Sequence, residues 1–184
     1  MDSEKRQLLA LIKKLSYEKR DVTLSSGKKS NYYIDGKQTT LDGQGAYLVG
    51  KLFLDIIKKE FKDIKAVGGL TLGADPITSA IIVVGYSQGM NMKGFIVRKE
   101  AKSHGTGVWI EGMKGFAPGD KVAVVEDVVT TGESAIKAVE RVQEAGLRVT
   151  GIIAMLDRLE GGREYIESKG CRLYSIFTRA DLNE

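Results

Sequence analysis

The sequence predicts an α/β fold with a mostly parallel central sheet flanked by helices. Three observations carry that expectation. Short apolar runs alternate with longer segments whose apolar residues recur at helical spacing. One run, KVAVVEDV at residues 121–128, is continuously apolar up to its acidic pair, as a central parallel strand covered on both faces must be. Finally, Gly68-Gly69, Arg98-Lys99, Glu126-Asp127 and Asp157-Arg158 each close a predicted strand. Ligands of open α/β sheets bind beyond the carboxyl ends of strands, so this shared position makes the four clusters one candidate site.

The elements follow in order. Asp2 or Ser3 can cap a first helix, whose stripe is Leu8, Leu9, Leu11, Ile12 and Leu15. The stretch DVTLSSGKKSNYYIDGKQTTL reads as short strands joined by a turn at Ser26-Gly27-Lys28. Residues 46–62 read as a second helix. IKAVGGL is a short strand, and ADPITSAIIVVGYSQG is a helix with Pro76 in its first turn, where a missing N–H matters little. GFIVRK is a strand. EAKSHGTGVWIEGMKGFAPGD carries five glycines and reads as a loop followed by a turn. Beyond KVAVVEDV, a helix spans residues 133–145 and ends at Gly146. VTGIIAMLDR is a strand, GGREYIESKG a short helix and CRLYSIFTR a last strand. The chain has 184 residues, no internal repeat and no linker rich enough to divide it, so a single domain over 1–184 is expected.

Composition narrows the function classes. Hydrophobic residues make up 42% and charged residues 28%, which excludes a disordered chain. The net charge of +4 is spread out, with no long basic run. It permits an anionic small-molecule substrate and makes no case for nucleic acid. Cys171 is the sole cysteine, so no intrachain disulfide is possible. Placed in CRLYSIF, it reads as a buried, inert strand residue. The amino-terminal segment is charged from its second residue, and no apolar run approaches the roughly 18 residues of a membrane span. A soluble cytoplasmic protein is the expectation.

Several constellations carry chemistry. In VAVVEDVVTTGESAIKA, residues 122–138, a helix begins near Gly132. Its free N–H groups and positive dipole end favour an anion. Thr130, Thr131 and Ser134 add hydroxyl donors, and Gly132 lets a ligand approach the backbone. The pair Glu126-Asp127 suits ribose hydroxyls, or a Mg²⁺ carrying a diphosphate, rather than a phosphate. On spacing alone the same residues read equally well as a solvated strand end and a helix cap. In Arg98-Lys99-Glu100-Ala101-Lys102-Ser103-His104-Gly105, three cations and the only histidine follow a strand and are flanked by glycines. A short basic run is usually a solvated loop. This one also suits closure over a departing diphosphate, whose transition state needs compact positive charge. Residues 24–35 carry Tyr33 and Ile34, which on their own read as core. Arg158 ends GIIAMLDR, and a buried arginine can grip a carboxylate with two parallel hydrogen bonds. Residues 68–74 follow a strand, precede a helix and offer backbone N–H groups to a diphosphate.

Together these stretches resemble the type I phosphoribosyltransferases, and within them the orotate phosphoribosyltransferase family. VAVVEDVVTTGES is similar to the type I signature, in which two acidic residues end a hydrophobic strand and a Thr/Gly loop follows. RKEAKSHG matches every defined position of the family's Arg-Lys-x-x-Lys-x-His-Gly catalytic loop, and LSSGKKSNY is similar to its Leu-x-Ser-Gly-x-x-Ser-x-Tyr segment. The motifs occur in the family's order over about residues 20–160. The resemblance implies transfer of a 5-phosphoribosyl group from 5-phosphoribosyl 1-diphosphate to orotate. It implies Mg²⁺ carried by the diphosphate rather than held by a protein metal site. It also implies a cytoplasmic homodimer with shared active sites, and a small hood formed by about residues 1–40 and the carboxyl-terminal segment.

By the same resemblance Arg98, Lys99, Lys102 and His104 bind the diphosphate, with Lys102 stabilising departing charge or donating a proton. Leu72, Gly73, Glu126, Asp127, Val128, Val129, Thr130, Thr131, Gly132, Glu133 and Ser134 bind phosphoribosyl diphosphate, and Asp127 also has a catalytic part. Tyr33, Ile34, Thr130 and Arg158 bind orotate. The chain departs from the pattern at Ser25, where some members carry Lys, at Glu126, where many orotate enzymes have Asp, and at Asn31, where Pro is frequent. Two rivals stand beside this reading: a phosphoribosyltransferase for another base, and a non-catalytic regulator binding nucleotide or RNA. The complete loop 98–105 speaks against the regulator.

Overall fold

The computed structural model describes residues 1–23, 29–101 and 107–182. Asp2 is the first cap: its carboxylate accepts a hydrogen bond from the Lys5 N–H and opens α1 (Ser3–Leu11). The helix continues into a π-helical turn over Ile12–Ser16. Two short antiparallel pairs follow, β1 (Tyr17–Glu18) with β4 (Tyr33–Ile34) and β2 (Val22–Thr23) with β3 (Lys29–Ser30). The turn expected at Ser26-Gly27-Lys28 lies outside the described residues, as does Ser25.

Strand character stops sooner than expected. Gly36–Thr40 is a helix, α2, because Asp35 accepts from the Lys37 N–H and caps it. The next helix, α3 (Gly43–Glu60), begins ahead of the expected residue 46. Asp42 caps it by accepting from the Gly45 N–H, a polar start signal upstream of the apolar stripe. The remaining elements are β5 (Ala66–Leu70), α4 (Ala74–Ser87), β6 (Lys93–Val97), β7 (Ile110–Glu111), β8 (Lys121–Val129), α5 (Glu133–Glu144), β9 (Arg148–Asp157), α6 (Gly162–Ser168), β10 (Leu173–Thr178) and α7 (Arg179–Leu182).

Among the described residues the central sheet has the order β10-β9-β8-β5-β6-β7. All pairs are parallel except β6 with β7, where Ile96 and Val97 oppose Glu111 and Ile110. That edge strand lies in a stretch expected as loop. Alternate residues of the central strands face opposite cores. Val67, Ala123, Val125, Ile153 and Met155 pack with α1, α3 and α4, whereas Val122, Val124, Ile152 and Ala154 pack with α5 and α6. This two-sided burial is the physical reason for the unbroken apolar run. Leu8, Leu9 and Ile12 share a core with Ile176, Phe177 and Leu182, so both chain ends sit on one face of the sheet.

The chain leaves β5 toward β6 on one side and returns to β8 on the other. The crevice between β5 and β8 is therefore the topological switch point, where this kind of sheet opens for a ligand. Gly68 and Gly69 are strand interior rather than ligand contacts, since a Cβ would come within 2.1 Å of the Phe95 carbonyl oxygen or 2.2 Å of that of Val125. Cys171 is not in the last strand. It precedes β10, half-buried, and burial pushes its thiol pKa up.

Candidate functional site

Three adjoining cavities lie at the switch point. The smallest, about 160 Å³, is formed by the end of β8 and the start of α5, with Thr130, Thr131, Gly132 and Ser134 in its wall. Gly132 is the N-cap of α5 at φ +81° and provides no side-chain cap. Gly132 therefore leaves the first-turn N–H groups without a cap of its own, and Thr131 Oγ1 reaches only the Glu133 N–H, at 3.5 Å, so the helix start stays open to an anion. Gly132 also fits tightly. A Cβ there would sit 2.8 Å from the Gly162 carbonyl oxygen, and one at Gly162 would sit 2.5 Å from that of Thr130. The amino end of α6 therefore braces the loop. Val129 is buried in the core, so only its backbone faces this cavity. Glu133 is exposed.

The second cavity, about 200 Å³, joins the first through Glu126 and Ser134. Leu72, Gly73, Lys99 and Asp127 also line it. The Thr71–Leu72 peptide is cis, and the Thr71 hydroxyl donates to Asp75 at 2.6 Å. Gly73 faces the acidic pair so closely that a Cβ would lie 2.5 Å from Asp127 Oδ1. Glu126 is buried. Burial first, and the neighbouring Asp127 charge second, hold its carboxyl well above the usual range. The Asp127 N–H donates to Glu126 Oε1 at 3.2 Å.

The third cavity, about 570 Å³, joins the second through Asp127 and Lys37 and the first through Val128 and Thr130. Tyr33, Ile34 and Arg158 complete the expected set. Arg158 is 3% exposed, directly after β9, and its N–H donates to the Val129 carbonyl at 3.0 Å. Its neighbour Asp157 is fully buried and turned away, bonded to Arg163 Nε at 3.0 Å and to the Leu159 N–H at 2.9 Å. That second bond supports Leu159 at φ +56°, an uncommon conformation for a leucine. Of the expected acidic and basic clusters, Asp157 is therefore structural.

The basic segment is only partly in view. Lys99 reaches the second cavity, whereas Arg98 Nη1 is 3.2 Å from Glu111 Oε1 on β7. Lys102 and His104 lie outside the described residues. Arg20 and Lys37 in the cavity walls and Glu160 beside Arg158 were missed from the sequence, and Ser30, Tyr32 and Asp35, within the segment 24–35, were given no role there. Lys37 was hidden because its segment reads as strand. Its ammonium bonds to Asp35 at 2.6 Å, which raises its pKa, burial opposing and Asp127 assisting. Burial pushes the Asp35 carboxyl up, but the bonds from Lys37 and Gln38 outweigh this and lower it.

A helix start left open by its glycine cap, an acidic pair and Lys99 around the switch point of such a sheet fit the architecture of the type I phosphoribosyltransferases. No protein-family model matches the chain. Relatives do match: it is 50% identical over 182 residues to the orotate phosphoribosyltransferase of Aquifex aeolicus, covering 97% of each chain. Among solved structures, Mycobacterium tuberculosis orotate phosphoribosyltransferase in complex with Fe(III) dicitrate superposes with a TM-score of 0.84 at 40% identity, covering 98% of this chain and 99% of that one. The same enzyme in complex with 5-phospho-α-D-ribosyl 1-diphosphate gives 0.80 at 37% identity, with the same two coverages. The chain belongs to the orotate phosphoribosyltransferase family.

Proposed function

We propose that this chain transfers the 5-phosphoribosyl group of 5-phosphoribosyl 1-diphosphate to orotate, giving orotidine 5′-monophosphate and diphosphate in pyrimidine nucleotide synthesis. The observation that carries the reading is the junction of three cavities around Glu126, Asp127 and Thr130. Their order matches the substrates end to end. The 5-phosphate docks on residues 130–134, with Val128 and Val129 contributing backbone and Glu133 and Ser134 the first helical N–H groups. Glu126 and Asp127 meet the ribose hydroxyls. Leu72 and Gly73 offer backbone N–H groups to the diphosphate, beside Arg98, Lys99, Lys102 and His104. Orotate lies against Tyr33, Ile34 and Thr130, with its carboxylate on Arg158.

The bond from the anomeric carbon to the diphosphate oxygen breaks, and its electron pair leaves with the diphosphate. Positive charge builds on the ribose ring beside Asp127, and the orotate nitrogen forms the new bond as it gives up its proton. Lys102 neutralises the leaving group. Water is kept out because it would intercept the ribosyl cation. Mg²⁺, when bound with the diphosphate, offsets its charge. Among the described residues, no three His, Cys, Asp or Glu side chains cluster to hold a metal.

The active unit is a homodimer in the cytoplasm. Leu41, Tyr47, Val83 and Tyr86 are exposed on and beside α3 and α4, an apolar set suited to a second copy. The sole cysteine, which permits no intrachain disulfide, supports the cytoplasmic setting. No helix of the described residues is long and apolar enough to cross a membrane.

Incubation with phosphoribosyl diphosphate, Mg²⁺ and orotate should consume orotate and release diphosphate one for one. No consumption would reject the reading. Lys102→Ala should lower kcat by about a hundredfold or more while changing each KM only slightly. An unchanged kcat would remove Lys102 from the chemistry.

A further inference from the structure

The Arg158 guanidinium is held along one edge. Its Nε–H donates to Glu160 Oε1 and to the Tyr32 hydroxyl, each at 3.1 Å. Nη2 lies 2.9 Å from the same Glu160 oxygen and donates to Ser30 Oγ at 3.3 Å. The Tyr32 hydroxyl closes the ring by donating to Glu160 Oε1 at 2.7 Å. Tyr32 is buried, and its ring centroid lies 4.5 Å from the guanidinium carbon. Burial and the bond to Glu160 push its phenol pKa up, which keeps the donor protonated.

A planar guanidinium has two edges for paired hydrogen bonds, Nε with Nη2 and Nη1 with Nη2. Glu160 fills the first with one oxygen. Among the described residues none accepts from Nη1, and Arg158 lines the 570 Å³ cavity. The left-handed turn at Leu159, tied by Asp157, sets Glu160 back toward Arg158 rather than outward.

We propose that Glu160, acting with Tyr32, is a positioning residue. It locks Arg158 so that its Nη1–Nη2 edge takes a planar carboxylate ligand end-on, without Glu160 touching that ligand. The Arg158–Glu160 pair is charge-balanced, so this end of the cavity holds an anion by directed hydrogen bonds more than by net charge. A planar carboxylate profits from two parallel donors. The inference rests on the orotate reading above and adds the device that sets orotate affinity.

Steady-state kinetics of Glu160→Ala, Glu160→Gln and Tyr32→Phe, with both substrates varied, test it. Glu160→Ala should raise the orotate KM by about tenfold or more, the size of a lost charged hydrogen-bond partner. The KM for phosphoribosyl diphosphate should stay within about twofold, which also reports an intact fold. Glu160→Gln keeps an acceptor and should rise less, as should Tyr32→Phe. In an Arg158→Ala background, Glu160→Ala should add nothing further, because its effect passes through Arg158. A fall in orotate KM would make Glu160 a competitor of the ligand and overturn the proposal. An unchanged orotate KM, equal rises in both KM values, or full additivity with Arg158→Ala would overturn it too. Failure of the wild-type protein to consume orotate would instead overturn the functional reading, and this inference with it.

Discussion

Glu126 shows how one residue ties the site to stability. Its carboxyl is buried beside Asp127, and folding raises its pKa. A raised folded pKa means that the folded chain binds this proton more tightly than the unfolded chain. The penalty is absent at pH values below the unfolded carboxyl pKa. It grows as pH climbs from there through the folded value, where the buried group must ionise. Glu126→Gln removes the penalty, so the variant should melt at a higher temperature than wild type at pH 8 and show a smaller gain at pH 4. Thermal denaturation at the two pH values measures this. A gain that is larger at pH 4 would contradict the raised pKa of Glu126.

At the element scale, the β8–α5 connection carries the geometry. Gly132 has φ +81°, and a Cβ would meet the Gly162 carbonyl at 2.8 Å. Gly146, after α5, has φ +83°, but its nearest neighbour stands at 3.9 Å. Both alanine variants strain the backbone by about 1 kcal/mol or more. Only Gly132→Ala should also push α6 off the phosphate loop and raise the KM for phosphoribosyl diphosphate. Equal KM values in the two variants would show that the loop does not depend on this contact.

The same scale explains what was legible in the chain. β8, α5 and Gly146 read out of the sequence because a doubly buried strand, an amphipathic stripe and a left-handed cap each leave a local pattern. The family resemblance, not the residues alone, singled out Tyr33, Thr130 and Arg158, and all three line one cavity. α2 did not read out, because its cap Asp35 precedes Gly and Thr residues that also suit turns and strands. β7 is two residues long and exists by pairing with β6, a partner that no local pattern announces. Glu160 and Tyr32 lie 128 positions apart and meet only in three dimensions. Asp157 and Arg158 read as one charged cluster, but strand alternation sends them to opposite sides.

Across the whole molecule, both chain ends pack on the face carrying α3 and α4, and Tyr47 on α3 and Val83 and Tyr86 on α4 are exposed. Val83 and Tyr86 are three positions apart on α4 and so share one side of it. Val83→Glu with Tyr86→Glu places two charges there and should leave the fold intact while shifting sedimentation from dimer to monomer. Activity should fall with it under the proposal that the two subunits share their active sites. A double variant that stays dimeric, or a fully active monomer, would contradict the shared-site proposal.

The central claim is that this cleft couples a phosphoribosyl group to an acceptor bearing a carboxylate, chosen by Arg158. The direct measurement is diphosphate release from phosphoribosyl diphosphate and Mg²⁺ with orotate, uracil, adenine or guanine offered separately at equal concentration. The account predicts release with orotate, at least about a hundredfold faster than with any other base, and loss of most of that preference over uracil in Arg158→Ala. Comparable release with uracil or a purine, or an orotate preference that survives Arg158→Ala, would contradict it.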